Sequence, residues 1–288
     1  MKTLHQAGVH WVNIPGVNPL EHCNFSLDEV VKRTADEMEH YGISASSVHA
    51  AGPIYAPIEE DQFFVQDMPR QSVKQAVNWR PKALVVETGH FHGTGERTKP
   101  NNLAQYWEQF QEECRRHGIN AVRATVAANL RVMAEAAAPH GIKIAIENMG
   151  RFFPLGTRED LEYFGREIQL PNVGFCIDSG HAHVFGEAPH EWINFAGKRL
   201  FETHFHDNYG DQGQKVDLKA AGKWDRHLSP GFGTIDWREV IKALDDISFP
   251  GPVNFETGGW PISDPMASFQ RAMEWWETCT EITRGAKH

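Results

Sequence analysis

IKIAIEN (142–148), VGFCIDS (173–179) and LFETHFH (200–206) are three apolar, β-rich runs of strand length, and each carries a polar residue at or near its end. Four more runs share that length and character: VHWVNI (9–14), ISASSVHA (43–50), ALVVET (83–88) and PVNFET (252–257). Runs this apolar read as buried strands, the kind found in parallel sheets. The segments between them have helical spacing. Ser26 and Glu29 form a Ser-x-x-Glu capping box, followed by an apolar face of Leu27, Val30, Val31, Ala35 and Met38 and a stop at Gly42. Helical patterns continue through 102–140 with a break at Gly118, from Thr157 to Ile168, from Trp237 to Asp246, and from Pro265 to Thr283. The last carries Met266, Phe269, Met273 and Trp276 as its packing stripe.

Strands alternating with helices imply right-handed βαβ units and a parallel sheet. Seven or eight such units in 288 residues fit an α/β architecture of the (β/α)8 TIM-barrel kind better than an open doubly wound sheet. No Pro/Gly linker or low-complexity segment divides the chain. The sequence therefore predicts a single domain over 1–288, with a long loop at about 207–233 over the site. Neither G-x-G-x-x-G nor G-x-x-x-x-G-K-[ST] occurs, so no nucleotide cofactor is expected.

At 41% hydrophobic and 23% charged residues, the chain can bury a large core and is too apolar for disorder. Its 28 basic against 38 acidic residues give a net charge of −10 without any Lys/Arg cluster, which argues against nucleic acid or an anionic membrane as a main partner. The opening MKTLHQAGVHWVNI lacks the apolar segment and cleavage site of a signal peptide, and a cytoplasmic location is the default expectation. Cys23, Cys114, Cys176 and Cys279 show no C-x-x-C spacing, so reduced thiols are expected. Several of the sixteen histidines fall instead at strand ends beside acidic residues, a distribution that points to metal or acid/base chemistry.

In a (β/α) barrel the C-terminal strand ends converge on one mouth. The polar residues there are Glu147, Asp178, His204 and Glu256. Several negative charges packed at adjacent strand ends need a compensating cation, and a divalent metal is the economical answer. An oxygen-rich set with one imidazole suits Mn²⁺, Mg²⁺, Co²⁺ or Zn²⁺ alike.

The segments IAIENMG, GFCIDSGHAHVFG, HFHDN, WDRHLSPGFGTIDW and VNFETGG, in this order, resemble the xylose isomerase-like TIM-barrel superfamily over about 43–260. That group contains sugar and sugar-phosphate isomerases and epimerases, inosose dehydratase-like lyases, and apurinic endonucleases of the endonuclease IV class. The resemblance implies that Glu147, Asp178, His204 and Glu256 hold one divalent metal. It further implies that Glu147 and Glu256 work as an acid/base pair on opposite sides of a substrate carbon, and that His181 contacts a substrate oxygen. A metal that grips a carbonyl and its neighbouring hydroxyl acidifies the adjacent C–H and stabilises an enediolate. Isomerase, epimerase and lyase chemistry all start there. The implied partner is a small keto-sugar or polyol, and barrels of this superfamily are often homo-oligomers.

A second reading is zinc-dependent phosphodiester hydrolysis. His49, His181, Asp225 and His227 match further zinc ligands of the endonucleases, whereas Glu87 stands where they carry a histidine, with His90 and His92 just beyond. On the leading reading, His49, His90, His206, Asp225, Arg226, His227 and Trp260 are candidate substrate contacts, and Asp207, His183, Phe91 and Trp224 line the mouth. A third reading is an inactive sugar-binding barrel. No Ser-His-Asp order or G-x-S-x-G elbow supports nucleophilic catalysis. The opening MKTLHQAGVHWVNIPG resembles the end of the first helix and the second strand of such barrels, which leaves the first strand missing or atypical.

Overall fold

A computed structural model describes residues 1–15, 27–50, 62–89, 103–151, 153–211, 224–258, 262 and 264–285. Six strands form one sheet in sequential order: β1 (Trp11–Ile14), β2 (Ser44–His49), β3 (Ala83–Val86), β4 (Lys143–Glu147), β5 (Val173–Asp178) and β6 (Leu200–His204). All five ladders are parallel. The helices are α1 (Lys2–Gln6), α2 (Leu27–Tyr41), α3 (Gln62–Ala76), α4 (Leu103–His117), α5 (Ile119–Ala137), α6 (Arg158–Glu167), α7 (Ser179–Val184), α8 (Pro189–Ala196), α9 (Trp237–Asp246) and α10 (Pro265–Gly285). This is an α/β, TIM-barrel-like succession of parallel strands and helices. Among the described residues, no helix is long and apolar enough to cross a membrane.

The expected seventh strand is reduced to a single bridge. Phe205 pairs in parallel with Phe255, and the backbone exchanges Phe205 N to Asn254 O (2.8 Å) and Glu256 N to Phe205 O (3.0 Å). The Thr203 hydroxyl takes the Asn254 N–H at 3.0 Å, and Pro252 has no N–H to give, so no longer ladder forms here. The described residues therefore show six strands and two isolated bridges, Phe205 with Phe255 and Asp207 with Leu228, where seven or eight strands were expected. The opening supplies α1 and then β1, the helix-then-strand order implied for it.

Several helices start and stop where local chemistry dictates. Thr157 caps α6 in a full capping box with Asp160, and Gly118, at φ 81°, separates α4 from α5. On α10 the buried face runs through Ser268, Ala272 and Cys279, with Trp276 against the Phe205, Trp237 and Phe255 rings. The expected stripe of Met266, Phe269 and Met273 is only half-buried, because the helix turns the face carrying Ser268, Ala272 and Cys279 inward.

Side-chain alternation decides which residues meet. Leu84, Val86, Ile144, Ile146, Phe175 and Ile177 pack into the large core beneath the helices. Ala83, Val85, Ala145 and Cys176 form a separate small cluster on the other face. By the two-residue period, Glu147 follows Ala145 and Asp178 follows Cys176 onto that face. Ladder partners extend the set: Cys176 beside Glu202, Asp178 beside His204, His49 beside Val85, and Asn13 beside Ser47. Two register shifts, at Val12/Asn13 and Phe175/Cys176, adjust the alignment at β1 and β6.

Phe175 is almost wholly buried, with its ring 5.1 Å from Phe195 and the Arg199 guanidinium 4.9 Å above it. Phe175→Ala is expected to cost about 3–5 kcal/mol in urea unfolding, and an unchanged midpoint would contradict this account of the core.

Candidate metal and acid/base site

The side chains at the ends of β4, β5 and β6, with Glu256 after the bridge, converge on one point. Donor atoms of Glu147, Asp178, His204 and Glu256 all lie within 4.8 Å of one another. His204 Nδ1 is 3.0 Å from Glu147 Oε1 and 3.2 Å from Glu256 Oε2. Glu147, Asp178 and His204 are buried, while the Glu256 side chain is 42% exposed and forms the open side of the cluster.

A second group adjoins the first. Donors of His181, His206, Asp225 and His227 also fall within 4.8 Å of one another. Asp225 Oδ2 is 3.3 Å from His181 Nε2 and 2.9 Å from His227 Nε2, and the His206 and His227 rings stack at 4.0 Å. Asp178 touches both groups, since its Oδ1 lies 3.0 Å from His206 Nε2. His49, whose ring stacks on His204 at 4.9 Å, forms a third group with Glu147 and His204, and its Nδ1 is 3.6 Å from Glu87 Oε1.

Local sequence explains the placement. Asp178 ends β5 and caps α7, accepting the His181 N–H at 2.7 Å, which fixes His181 one turn above it. Asn148 clamps the same strand end: its Oδ1 accepts from Asp178 N at 2.6 Å and its Nδ2 donates to Asp178 O at 2.9 Å. Gly180 has to lack a Cβ, because one would land on the His206 imidazole.

The electrostatics show what this cluster demands. Burial alone would raise the Asp178 carboxyl, yet the His181 and His206 imidazoles hold it well below the usual range. Burial likewise opposes ionisation of Asp225, and His181 and His227 hold its carboxyl down. Burial works against charge on His181 and His204 too, but Asp178 and Asp225 raise the first, while Cys176 and Glu147 raise the second. His227 rises to about 9 against its own burial, through Asp225. The carboxylates thus gather positive charge wherever it can be had. Even so, Glu147 Oε2 and His206 Nδ1 are buried without a hydrogen-bond partner among the described residues. Carboxylate oxygens and imidazole nitrogens converging around such unsatisfied atoms fit a divalent cation.

The remaining candidates named from the sequence fall into different places. Arg226 is exposed at the rim with its guanidinium 5.4 Å from the Tyr209 ring, and His183 bonds Thr234 Oγ1 at 2.7 Å. Asp207, expected to line the mouth, is fully buried and holds the following loop instead. Its carboxylate accepts from Gly231 N (2.9 Å), Ile235 N (3.2 Å), Trp237 Nε1 (2.9 Å) and Asn208 N (3.0 Å). His90, Phe91, His92 and Trp260 lie outside the described residues. Sequence reasoning does not single out Asn13 or Asn148. Asn148 directly follows a strand-closing glutamate, a readable signal, whereas Asn13 offers none beyond one polar residue inside an apolar run.

The family described as xylose isomerase-like TIM barrel matches residues 1–279. Among curated proteins, the D-psicose 3-epimerase of Enterocloster bolteae is 25% identical over 85% of this chain and 74% of its own length. The chain spans about half or less of the first curated relatives it matches, from 24% to 56% of their lengths. A solved D-tagatose 3-epimerase-like protein superposes with a TM-score of 0.72 at 20% identity, over 100% of this chain and 94% of that one. A structure of an IOLI protein with a bound zinc atom gives a TM-score of 0.64 at 18% identity, over 98% and 90% of the two chains. At these identities the two structures speak for the fold.

His227 binds its proton more tightly folded than unfolded, so its stabilising contribution is complete below about pH 6.5 and disappears as pH rises through about 9. Thermal denaturation of the metal-free protein is expected to show a midpoint that declines across this window. In His227→Gln part of that decline should vanish, and an identical profile would show that the Asp225 pair does not form.

Proposed function

Since the chain belongs to the xylose isomerase-like TIM-barrel family, we propose that it is a divalent-metal-dependent sugar epimerase or isomerase acting on a small keto-sugar or polyol. The observation that carries this reading is that the Glu147 and Glu256 carboxylates both reach His204 Nδ1, at 3.0 and 3.2 Å, one buried and one 42% exposed. Glu147, Asp178, His204 and Glu256 are the proposed metal ligands. A divalent metal bound there supplies Lewis acidity toward a carbonyl and its neighbouring hydroxyl.

The chain's own groups do the rest. Glu147 and Glu256 serve as the acid/base pair that removes a proton from the carbon beside the carbonyl and returns one to it. Their unequal exposure suits unequal tasks, with Glu147 held rigidly by the strand and Glu256 in contact with the substrate side. His181, whose Nδ1 faces Asn148 O at 3.0 Å, presents Nε2 toward Asp225 and orients a substrate oxygen. His49, His90, Asp225, Arg226, His227 and Trp260 complete the proposed substrate surface, whereas His206, expected there too, is fully buried against Asp178. We read 1–288 as one domain. β-Elimination from the same deprotonated carbon makes a lyase activity accessible to this machinery.

In D₂O with added Mn²⁺, ketohexoses are expected to gain deuterium at the carbon beside the carbonyl, followed by ¹H NMR. Glu147→Gln and Glu256→Gln should each slow this at least ~10²-fold while leaving the fold intact. No exchange with any ketose or inosose would sink the proposal.

The group His181, His206, Asp225 and His227 favours one other reading, phosphodiester hydrolysis with two or more zinc ions. Metal analysis of dialysed protein separates the two. About one equivalent per chain is expected for the epimerase, and two or three equivalents of zinc would favour the hydrolase.

A further inference from the structure

We propose that Asn13 is a positioning residue for His204: by holding Nε2 from across the sheet, its carboxamide fixes Nδ1 as the nitrogen turned toward Glu147 and Glu256. This rests on the metal-dependent reading above and names a residue through which it operates.

Three features of the structure converge on it. Asn13 lies 191 positions from His204 in sequence, yet its Nδ2 is 3.0 Å from His204 Nε2. The same amide donates at 2.8 Å to the hydroxyl of Ser47, a fully buried residue, so the carboxamide is anchored at a second point. The neighbouring strand is also deformed opposite this residue. Val12 pairs with Ala45 but Asn13 pairs with Ser47, leaving Ser46 as the extra residue of β2. Ser46 Oγ in turn donates to Val12 O at 3.2 Å. Bulges commonly re-aim one side chain near a site, and here the extra residue in β2 turns Ser47 to face Asn13.

The chemistry explains why an amide serves. A ligating imidazole gives one nitrogen to the cation and needs a hydrogen-bond partner at the other, which sets its tautomer and ring angle. With Nδ1 beside two carboxylates, Nε2 is the nitrogen left over. A carboxamide answers either state of Nε2: its Nδ2 donates to a bare nitrogen and, after a half-turn, its Oδ1 accepts from N–H. Ser47 can reverse its own hydroxyl to match. Unlike a carboxylate, the amide adds no negative charge to a cluster that already carries an excess. His49, stacked on one ring face at 4.9 Å, restrains tilting but bonds neither nitrogen of His204 in this arrangement.

Titration with Co²⁺, followed by its visible absorption, tests the proposal on the full chain without any substrate. Asn13→Leu is expected to weaken Co²⁺ binding about 10- to 100-fold while the metal-free protein melts as the wild type does. Asn13→Asp, which still accepts from Nε2–H, is expected to restore most of the affinity. Should Asn13→Leu fail to fold, Ser47→Ala removes the second anchor and is expected to weaken binding by a smaller factor. Wild-type affinity in Asn13→Leu, or in Ser47→Ala if that is the variant that folds, overturns the proposal. So does an equal loss in Asn13→Leu and Asn13→Asp that tracks lowered melting temperatures. A wild-type protein that takes up no Co²⁺ overturns the metal-dependent reading itself, a result distinct from either.

Discussion

Buried carboxylates at the end of a parallel sheet must be met by cations or by N–H groups, and this structure meets them in three ways. Asp207 is surrounded by three backbone N–H groups and an indole. Asp178 and Asp225 are matched by imidazoles that hold protons more tightly than free histidine does. Glu147 keeps one buried oxygen with no hydrogen-bond partner among the described residues. The first arrangement is complete in itself and is structural. The second is provisional, because a proton on an imidazole yields to a metal ion. The third leaves a place for a ligand, and it sits where the strand ends converge.

Much of this is legible in the sequence because two simple periodicities coincide with it. Apolar runs ending in Glu147, Asp178 and His204 specify strand, face and site together, since a residue closing such a run must point with the alternate residues before it. The helical pattern opening at Thr157 marks α6, and Gly118 the break before α5. Other elements are not legible. Helix α3 contains Pro69, and α7 and α8 are only six and eight residues long, too short for helical spacing to stand out. The run at 252–257 has the composition of a strand, but its ladder bond is intercepted by the Thr203 hydroxyl, a tertiary fact. Asn13 shows the limit most clearly. Its pairing with Ser47 depends on a register shift in β2, and nothing in VHWVNI announces one.

The two donor groups also differ in how they are supported. Glu147, Asp178 and His204 sit on the sheet itself, backed by Ile146, Ile177 and the core beneath the helices. Asp225 and His227 come from a loop, and His227 adopts a positive φ of 46° there, with its Nδ1 2.9 Å from Glu256 O. The strand-borne half is rigid by packing and the loop-borne half by hydrogen bonds. Asp178, which touches both, is where a change of charge in one half is felt by the other.

Asp207 has a bearing on how the site tolerates change in its loop. It opens the loop and, through the paired backbone bonds with Leu228, also closes it, while Asn208 Oδ1 receives the Arg226 N–H at 2.8 Å. Both feet of the segment between Tyr209 and Trp224 are therefore pinned independently of what lies between them. Doubling the length of a loop whose ends are already fixed costs only about 0.6 kcal/mol in chain entropy. A change of length between those two feet therefore costs Asp225 and His227 little of their placement, which makes the floor of the site independent of the chain that joins its ends.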